Sequence, residues 1–120
     1  MGVDYTAYAG FGLRLATENN YNEVCDMLEA ASEDGDIYDI EFDDENIELI
    51  FDGMCGNYIY LLYKLSSEDA YAADATELSL NEFKATLEKV APALSAAVRK
   101  LGIPNIEASD IKFISFVHAW

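Results

Sequence analysis

Carboxylates are the side chains of this sequence that could carry chemistry, and eight of them fall within residues 36–53, DIYDIEFDDENIELIFDG. Such groups coordinate hard cations, transfer protons, or present negative charge to a basic partner. The stretch DGDIYDIEFDDE places Asp34 and Asp36 at the first two odd positions of a calcium loop. It has Tyr38 at the third and no glycine at the sixth position, so it fails the EF-hand pattern and we predict no metal site.

No catalytic signature accompanies these carboxylates. His118 is the single histidine, and we expect it to be a solvent-facing or edge residue on the last strand. Neither Cys25 nor Cys55 lies in an activating motif, and the chain has no phosphate-binding glycine loop and no zincin motif. Gly10 and Gly12 match only a fragment of the dinucleotide-binding fingerprint, so we interpret them as a β-bulge or a close backbone approach. The sequence predicts a protein that is not an enzyme, with no catalytic residues and no cofactor.

The charge is distributed very unevenly along the chain. Residues 15–63 hold 14 acids and no base, whereas residues 78–120 hold 4 acids and 5 bases, within a net charge of -16. Folded surfaces usually mix both signs, because unrelieved like charges destabilise the compact state. Affinity for nucleic-acid phosphates comes from Lys and Arg, so this surface favours a basic protein as partner and disfavours direct nucleic-acid binding.

A first helix would position some of these acids. Asn20 and Glu23 have the spacing of a capping box, and apolar residues recur at helical spacing as far as Gly35, which predicts a helix over residues 20–33. Its acidic residues fall within a sector of roughly 120° opposite the apolar stripe. Its solvent-facing side is therefore predicted to be acidic.

A β-hairpin would position the others. Period-two alternation over residues 38–42 and 47–51, joined by the polar DDEN at 43–46, predicts two strands. Acids two residues apart on a strand are separated by roughly 6.6 Å, a spacing comparable to that of successive phosphates. The residues predicted to bind a partner, all acidic and all on the helix or the hairpin, are Glu23, Asp26, Glu29, Glu33, Asp34, Asp36, Asp39, Glu41, Asp43, Asp44, Glu45, Glu48 and Asp52.

The rest of the chain supplies a sheet and a second helix. Strands are predicted over 3–15, over the doubly apolar 57–65, and over the last eleven residues, where we expect Phe113 and Val117 on the buried parity. A loop should follow from Ser66, and a helix kinked at Pro92 should run from Ser79 to Gly102. We predict a single α+β domain, residues 1–120: one mainly antiparallel sheet packed against two helices, in the order β-α-β-β-β-α-β.

The cellular setting is also an expectation from sequence. The first residues carry Asp4 and no basic segment before an apolar run, which is unlike a signal peptide. No run of 18 apolar residues occurs, and two isolated cysteines are expected to stay reduced. We therefore expect a cytoplasmic protein without membrane contact.

The opening MGVDYTAYAGFGLRL resembles the start of small tailed-phage proteins that begin Met-Gly-x-Asp-Tyr. The acidic load is similar to that of phage-encoded DNA mimics that block restriction or CRISPR effectors. The resemblance implies an inhibitor that acts in the host bacterial cytoplasm on a basic nucleic-acid-binding protein. DNA mimics share charge and no motif, so no functional residue is carried over from them.

Two alternatives remain open from sequence: an immunity-type or adaptor protein with one cognate basic partner, and a structural subunit whose acidic face only aids solubility. We also predict a homodimer. Both parities of YIYLLYKL are apolar, and Phe116 and Trp120 lie on the parity opposite Phe113. Two helices can cover only one face of the sheet, so a second copy would cover the other.

Overall fold

The computed structural model describes residues 4–72, 77–103 and 110–120. Its elements are β1 (Tyr5–Thr17), α1 (Tyr21–Ala31), a 3-10 turn (Ile37–Asp39), β2 (Ile47–Phe51), β3 (Tyr58–Asp69), α2 (Leu80–Lys100) and β4 (Lys112–Ala119). The four strands form one antiparallel sheet in the order β2-β3-β1-β4. The predicted α+β class, with one antiparallel sheet and two helices, is confirmed, and 57–65 lies in a central strand as predicted.

The segment predicted as the first hairpin strand, residues 38–42, is not a strand. The Asp36 carboxylate instead accepts a hydrogen bond from the Tyr38 N–H at 2.9 Å and caps the 3-10 turn. β2 pairs with β3, and Ile47 lies opposite Tyr63. Aspartate side chains that bond to nearby backbone N–H groups compete with a strand ladder. Here they hold a turn while apolar residues of the segment, including Ile40, still pack on the core.

The main core lies between the sheet and the two helices. Its buried side chains include Val24 and Leu28 from α1 and Leu94 from α2, packed with Phe11 and Leu61 of the sheet. Full burial of one such side chain stabilises the fold by roughly 1.5–3 kcal/mol. Neither helix is long and apolar enough to cross a membrane within the part of the chain that the structure describes.

The ends of α2 are capped as the sequence predicts, whereas the start of α1 is not. Ser79 accepts a hydrogen bond from the Glu82 N–H at 3.1 Å. At the other end Gly102, with φ of 71°, donates to the Arg99 carbonyl, a left-handed helix terminus that favours glycine. The capping-box prediction at Asn20 is wrong. Its side chain makes no cap hydrogen bond, and its Oδ1 accepts from the Thr17 N–H at 2.8 Å.

The face of the sheet away from the helices is strongly concave. Phe116 pairs with Tyr8, and Tyr60 pairs with Arg14, further along β1. On a flat sheet the distance from Tyr8 to Arg14 would be about 20 Å. The rings of Tyr60 and Phe116 are nevertheless only 4.7 Å apart. The sheet must therefore coil around this side, which we call the concave face.

Gly10 and Gly12 lie where β1 is crowded by its neighbour, as the sequence predicted. A Cβ added at Gly10 would lie 2.1 Å from the Tyr63 carbonyl oxygen, and one at Gly12 would lie 2.1 Å from the Leu61 carbonyl oxygen. The register of β1 against β3 also shifts between Ala9 and Gly10. Such irregularities bend a strand and increase its twist, which is what the concave face requires.

The parity predicted for the last strand is reversed. Phe113 and Val117 are 44% and 58% exposed, whereas Ile114 and Phe116 pack against a second cluster of buried residues on the concave face. The helix layer packs on β1 and β3. Apolar residues of β4 are therefore sheltered on the concave side, where the coiled sheet forms its own small core.

Candidate partner-binding surface

The solvent-facing side of α1 is acidic, as predicted. Glu23, Asp26 and Glu29 are exposed, while Val24 and Leu28 on the opposite side are buried. The helix has no basic residue in its last turn, so nothing within it offsets the negative end of the helix dipole. α1 thus contributes a negative ridge to the surface.

Two carboxylates immediately after α1 have a structural role as well as a charge. The Asp34 Oδ1 accepts hydrogen bonds from the Ser32 hydroxyl at 2.8 Å and from the Asp36 N–H at 3.0 Å. These bonds, led by that of the Asp36 N–H, lower the pKa of Asp34. Asp36 in turn caps the 3-10 turn. The turn therefore depends on two carboxylates that remain exposed.

The pKa of Asp39 is shifted in the direction opposite to that of Asp34. Its carboxyl lies near Asp36, Asp34 and Glu41, in that order of influence, and their negative charge raises its pKa. A like charge nearby disfavours the ionised form. The acids of this turn are therefore close enough to interact, which is the property that a partner with clustered positive charge would exploit.

The next segment, residues 40–46, runs beside β2 and is fixed to α2. The Lys100 ammonium donates to the Glu41 carbonyl and lies 5.8 Å from the centre of the Phe42 ring. Asp44 accepts from the Asn46 N–H at 2.9 Å. The carboxylates of Glu41, Asp43 and Glu45 remain exposed. Residues 40–42, predicted as part of a hairpin strand, therefore form one acidic loop with residues 43–46, which were predicted as a connection.

Of the thirteen predicted residues, ten are exposed. We call these ten, on α1 and in the loop of residues 33–45, the acidic surface: Glu23, Asp26, Glu29, Glu33, Asp34, Asp36, Asp39, Glu41, Asp43 and Glu45. Asp44 and Glu48 are half-buried. Glu48 forms an ion pair with Lys64 at 3.0 Å, so part of its charge is already neutralised.

Asp52 does not face solvent, contrary to the prediction from strand parity. It is only 7% exposed. Its two carboxylate oxygens accept hydrogen bonds from the Cys55 N–H at 3.1 Å and the Asn57 N–H at 3.0 Å. Asp52 therefore closes the turn between β2 and β3, a task that needs a carboxylate and uses both of its oxygens.

His118 lies on an edge strand, β4, as one form of the prediction had it, but it does not face solvent. It is 2% exposed, and its Nδ1 lies 2.6 Å from the Tyr58 hydroxyl. Burial lowers the pKa of His118, while the nearby Asp52 and Glu48 partly offset this effect. Burial also raises the pKa of Tyr58 to about 12. Both groups are thus neutral at pH 7. Their hydrogen bond links β3 to β4 across the concave face.

The aromatic residues divide between packing and exposure. Tyr63 is buried, and Tyr58 and Tyr60 are half-buried with ring centres 5.1 Å apart, as expected for packing within the sheet. Tyr38 differs from these residues, because it is 71% exposed although its ring contacts that of Phe51. An exposed tyrosine beside acidic residues is a residue type that often anchors protein interfaces.

Metal binding finds no support in the geometry. Within residues 4–72, 77–103 and 110–120, no group of three or more His, Cys, Asp or Glu side chains is arranged to hold an ion. Cys25 is half-buried, Cys55 is exposed, and both are free thiols, as the sequence predicted. The acidic surface offers a partner carboxylates, with the exposed ring of Tyr38 beside them.

The chain matches no protein-family model, no curated protein and no solved structure. The interactions that sequence reasoning missed, the Tyr58–His118 pair and the Asp52 turn, lie within the fold. The run FDGMCGNY carries a usable signal for the latter, since an aspartate before glycines is typical of a turn.

Proposed function

We propose that this protein is a non-enzymatic inhibitor whose acidic surface occupies a basic groove of a nucleic-acid-binding protein. The observation that carries the proposal is the continuous acidic stretch: 14 acids and no base over residues 15–63, of which ten acids form the exposed acidic surface. A host defence effector of the restriction or CRISPR type has such a groove, and the proposal includes a phage origin and action in the bacterial cytoplasm.

The physical basis is electrostatic steering. Complementary charge accelerates association and suppresses partners of the wrong sign, and its effect falls as salt screens it beyond about 10 Å at 0.1 M ionic strength. Arg and Lys side chains that normally contact phosphates would pair with the carboxylates of α1 and of the loop. Binding would therefore be fast and would weaken steeply as salt is raised.

The mimicry does not rest on a regular ladder of charges. Because residues 38–42 form a turn and a loop, Asp39, Glu41 and Asp43 do not have the even spacing of alternate strand residues. The charges instead cluster around the 3-10 turn and along α1, and these two elements contact each other. The proposed likeness to nucleic acid is one of charge density and not of phosphate spacing.

The test uses the tagged chain as bait in a bacterial lysate at low salt. The captured protein should bear a basic groove, should leave the bait at high salt, and should be displaced by double-stranded DNA or RNA added in excess. A captured protein that carries no basic surface, or that stays bound at high salt, would disprove the proposal.

Matched charge variants locate the contact. Glu23→Lys with Glu29→Lys changes two exposed carboxylates of α1, and Glu82→Lys with Glu88→Lys changes two exposed carboxylates of α2 by the same net charge. We expect the first pair to abolish capture and the second to weaken it only slightly. Equal effects would mean that net charge, and not the acidic surface, governs binding.

The immunity-type alternative needs the same acidic surface and differs in its partner. It gains support if the captured protein is not displaced by nucleic acid and if the two genes are neighbours. The structural-subunit alternative gains support if charge reversal across the acidic surface leaves function intact. We also propose a homodimer, for which the exposed Phe113 and Val117 of β4 offer an apolar strip.

A further inference from the structure

β2 lies at one edge of the sheet, and the direction of its backbone groups can be read from its ladder. At the two ends of the pairing, the Lys64 N–H donates to the Asn46 carbonyl and the Asp52 N–H donates to the Tyr58 carbonyl. In an antiparallel pair these bonds fall on every second residue. The even residues of β2 therefore bond to β3, and the odd residues turn their backbone groups the other way.

Four backbone groups of β2 are thereby directed outward in the pattern that an added strand would use. They are the Ile47 carbonyl, the Leu49 N–H and carbonyl, and the Phe51 N–H. Within the described residues, no other strand pairs with this side of β2. The Ile47 N–H, by contrast, is already bonded to the Asp44 carbonyl at 3.1 Å, so that residue marks one end of the open edge.

A groove of about 550 Å³ runs along this same edge. Ile37, Ile40 and Leu49 give it an apolar lining, and Trp120, which follows β4, reaches it from the opposite edge of the coiled sheet. Its acidic lining comes from Glu41, Asp44, Glu45 and Glu48, and no Lys or Arg is among the described residues that line it. The open edge therefore has apolar pockets on a strongly negative rim.

We propose that this groove binds an extended, basic segment of the partner protein, which adds to β2 as a further strand. Strand addition obtains affinity from backbone hydrogen bonds and specificity from pockets for alternate side chains. Apolar residues of the segment would face Ile40 and Leu49, and the intervening Lys or Arg residues would face the acidic rim. The sign of the rim selects a basic segment over an acidic or neutral one.

This inference rests on the proposed function in one respect, that the partner is basic, and it adds where and in which conformation part of that partner binds. Acidic loops on other proteins would be repelled. The exposed ring of Tyr38, which lines the groove and contacts Phe51, would close over one end of the bound segment.

The experiment uses the full chain and a fluorescein-labelled synthetic peptide of alternating valine and lysine, of the length of β2, in a fluorescence anisotropy titration. Two further peptides carry N-methyl groups on the backbone of either the valines or the lysines. Only one parity directs its N–H groups toward β2, and each N-methyl group on that parity removes one backbone hydrogen bond. Methylation of one parity should therefore weaken binding roughly tenfold, and methylation of the other should change it little.

Protein variants provide the matched comparison without disturbing the ladder. Glu41→Gln with Glu45→Gln removes two charges of the rim, and Glu23→Gln with Glu29→Gln removes two from α1, at exposed positions in both cases. The rim variant should weaken binding of the unmethylated peptide several-fold more than the α1 variant. Equal effects of the two variants, equal effects of the two methylated peptides, or no binding of the parent peptide would each overturn the inference.

These outcomes separate the inference from the proposed function. If the peptide does not bind but the chain still captures a basic, salt-sensitive partner, the groove proposal fails and the function stands. If the peptide binds with the expected parity while no nucleic-acid-binding protein is captured, the inhibitor function fails and the groove remains a site for a basic strand of another partner.

Discussion

Asp52 and Asp43 have the same side chain and opposite roles, because one is buried and the other exposed. Replacing Asp52 with alanine removes the acceptor of the Cys55 and Asn57 N–H groups. Hydrogen bonds to a charged group contribute about 1.5–3 kcal/mol when well formed. Because both donors are only part-buried, we expect a loss of about 1–3 kcal/mol in the free energy of unfolding. Urea denaturation measures it.

The control for this prediction is Asp43→Ala, which should change the free energy of unfolding by no more than about 0.5 kcal/mol. Neither substitution should weaken partner binding as strongly as changes across the acidic surface. Equal stability of the two variants would show that the Asp52 turn is not held by its carboxylate.

His118 gives the protein a pH dependence with a definite sign. Burial lowers its folded pKa below the value of about 6.5 expected in the unfolded chain. As the pH falls below 6.5, the unfolded chain therefore binds the proton first. The stability associated with neutral His118 is complete above 6.5 and is lost as the pH approaches the folded pKa.

The measurement compares urea unfolding of the parent and of His118→Gln at neutral pH and in mild acid. The many carboxylates titrate in both proteins, so their effects cancel when the two proteins are compared. The parent should therefore lose more free energy of unfolding than the variant when the pH is lowered. An NMR titration of the imidazole reports the pKa directly. A midpoint at or above 6.5 would contradict the burial that the structure assigns to it.

For individual residues, the sequence predicts the exposure of side chains well and their hydrogen bonds poorly. Ten acids on α1 and in the following loop are exposed as expected, because charged side chains rarely leave water. Asp52 and His118 escape prediction because each is buried with a partner distant along the chain or across a turn. Parity along a strand cannot show whether the facing side is solvent or a second core.

Among the elements, β1 has the least tolerance for substitution. Gly10→Ala would place a Cβ 2.1 Å from the Tyr63 carbonyl oxygen, and the backbone would have to move. Overpacking of this kind typically costs about 1–3 kcal/mol. Gly53→Ala, where no atom lies within 4 Å of the added Cβ, is the control. Thermal unfolding should show a clear loss for the first variant and little change for the second.

Helices and central strands were predictable because their signals are local and redundant. α2 has a capping serine, an apolar stripe and a terminal glycine, which all indicate the same element. The segment 38–42 has strand-like alternation that conflicts with its aspartates, which bond to nearby N–H groups. β3 also continues to Asp69, beyond the loop expected from Ser66, because β1 supplies a partner that composition does not reveal.

The whole molecule carries a net charge of -16, and its acidic surface is concentrated on one part of it. Mutual repulsion destabilises the compact state, and salt screens it. We therefore expect the free energy of unfolding to rise when sodium chloride is increased from low to moderate concentration. Urea denaturation at the two salt concentrations measures this change in free energy. A free energy of unfolding that stays constant or falls would show that repulsion among the acids does not destabilise the fold.

The homodimer is also a prediction at this scale. β4 is an edge strand with exposed Phe113 and Val117, and it contains Lys112 and no acid. Two copies could meet there without bringing carboxylates of β4 together. Light scattering should give a mass near twice 13.3 kDa, and Val117→Lys should return it to a single chain. A single-chain mass for the parent protein would refute the dimer.

The central position of β1 determines the order in which this fold can be completed. Its partners are β3 and β4, and the contact between Thr6 and Trp120 joins residues 114 positions apart. Closing so long a loop costs chain entropy before any pairing compensates it. During synthesis one side of β1 must therefore remain open until β4 has left the ribosome, and a nascent chain halted before β4 would expose that side to aggregation or to chaperones.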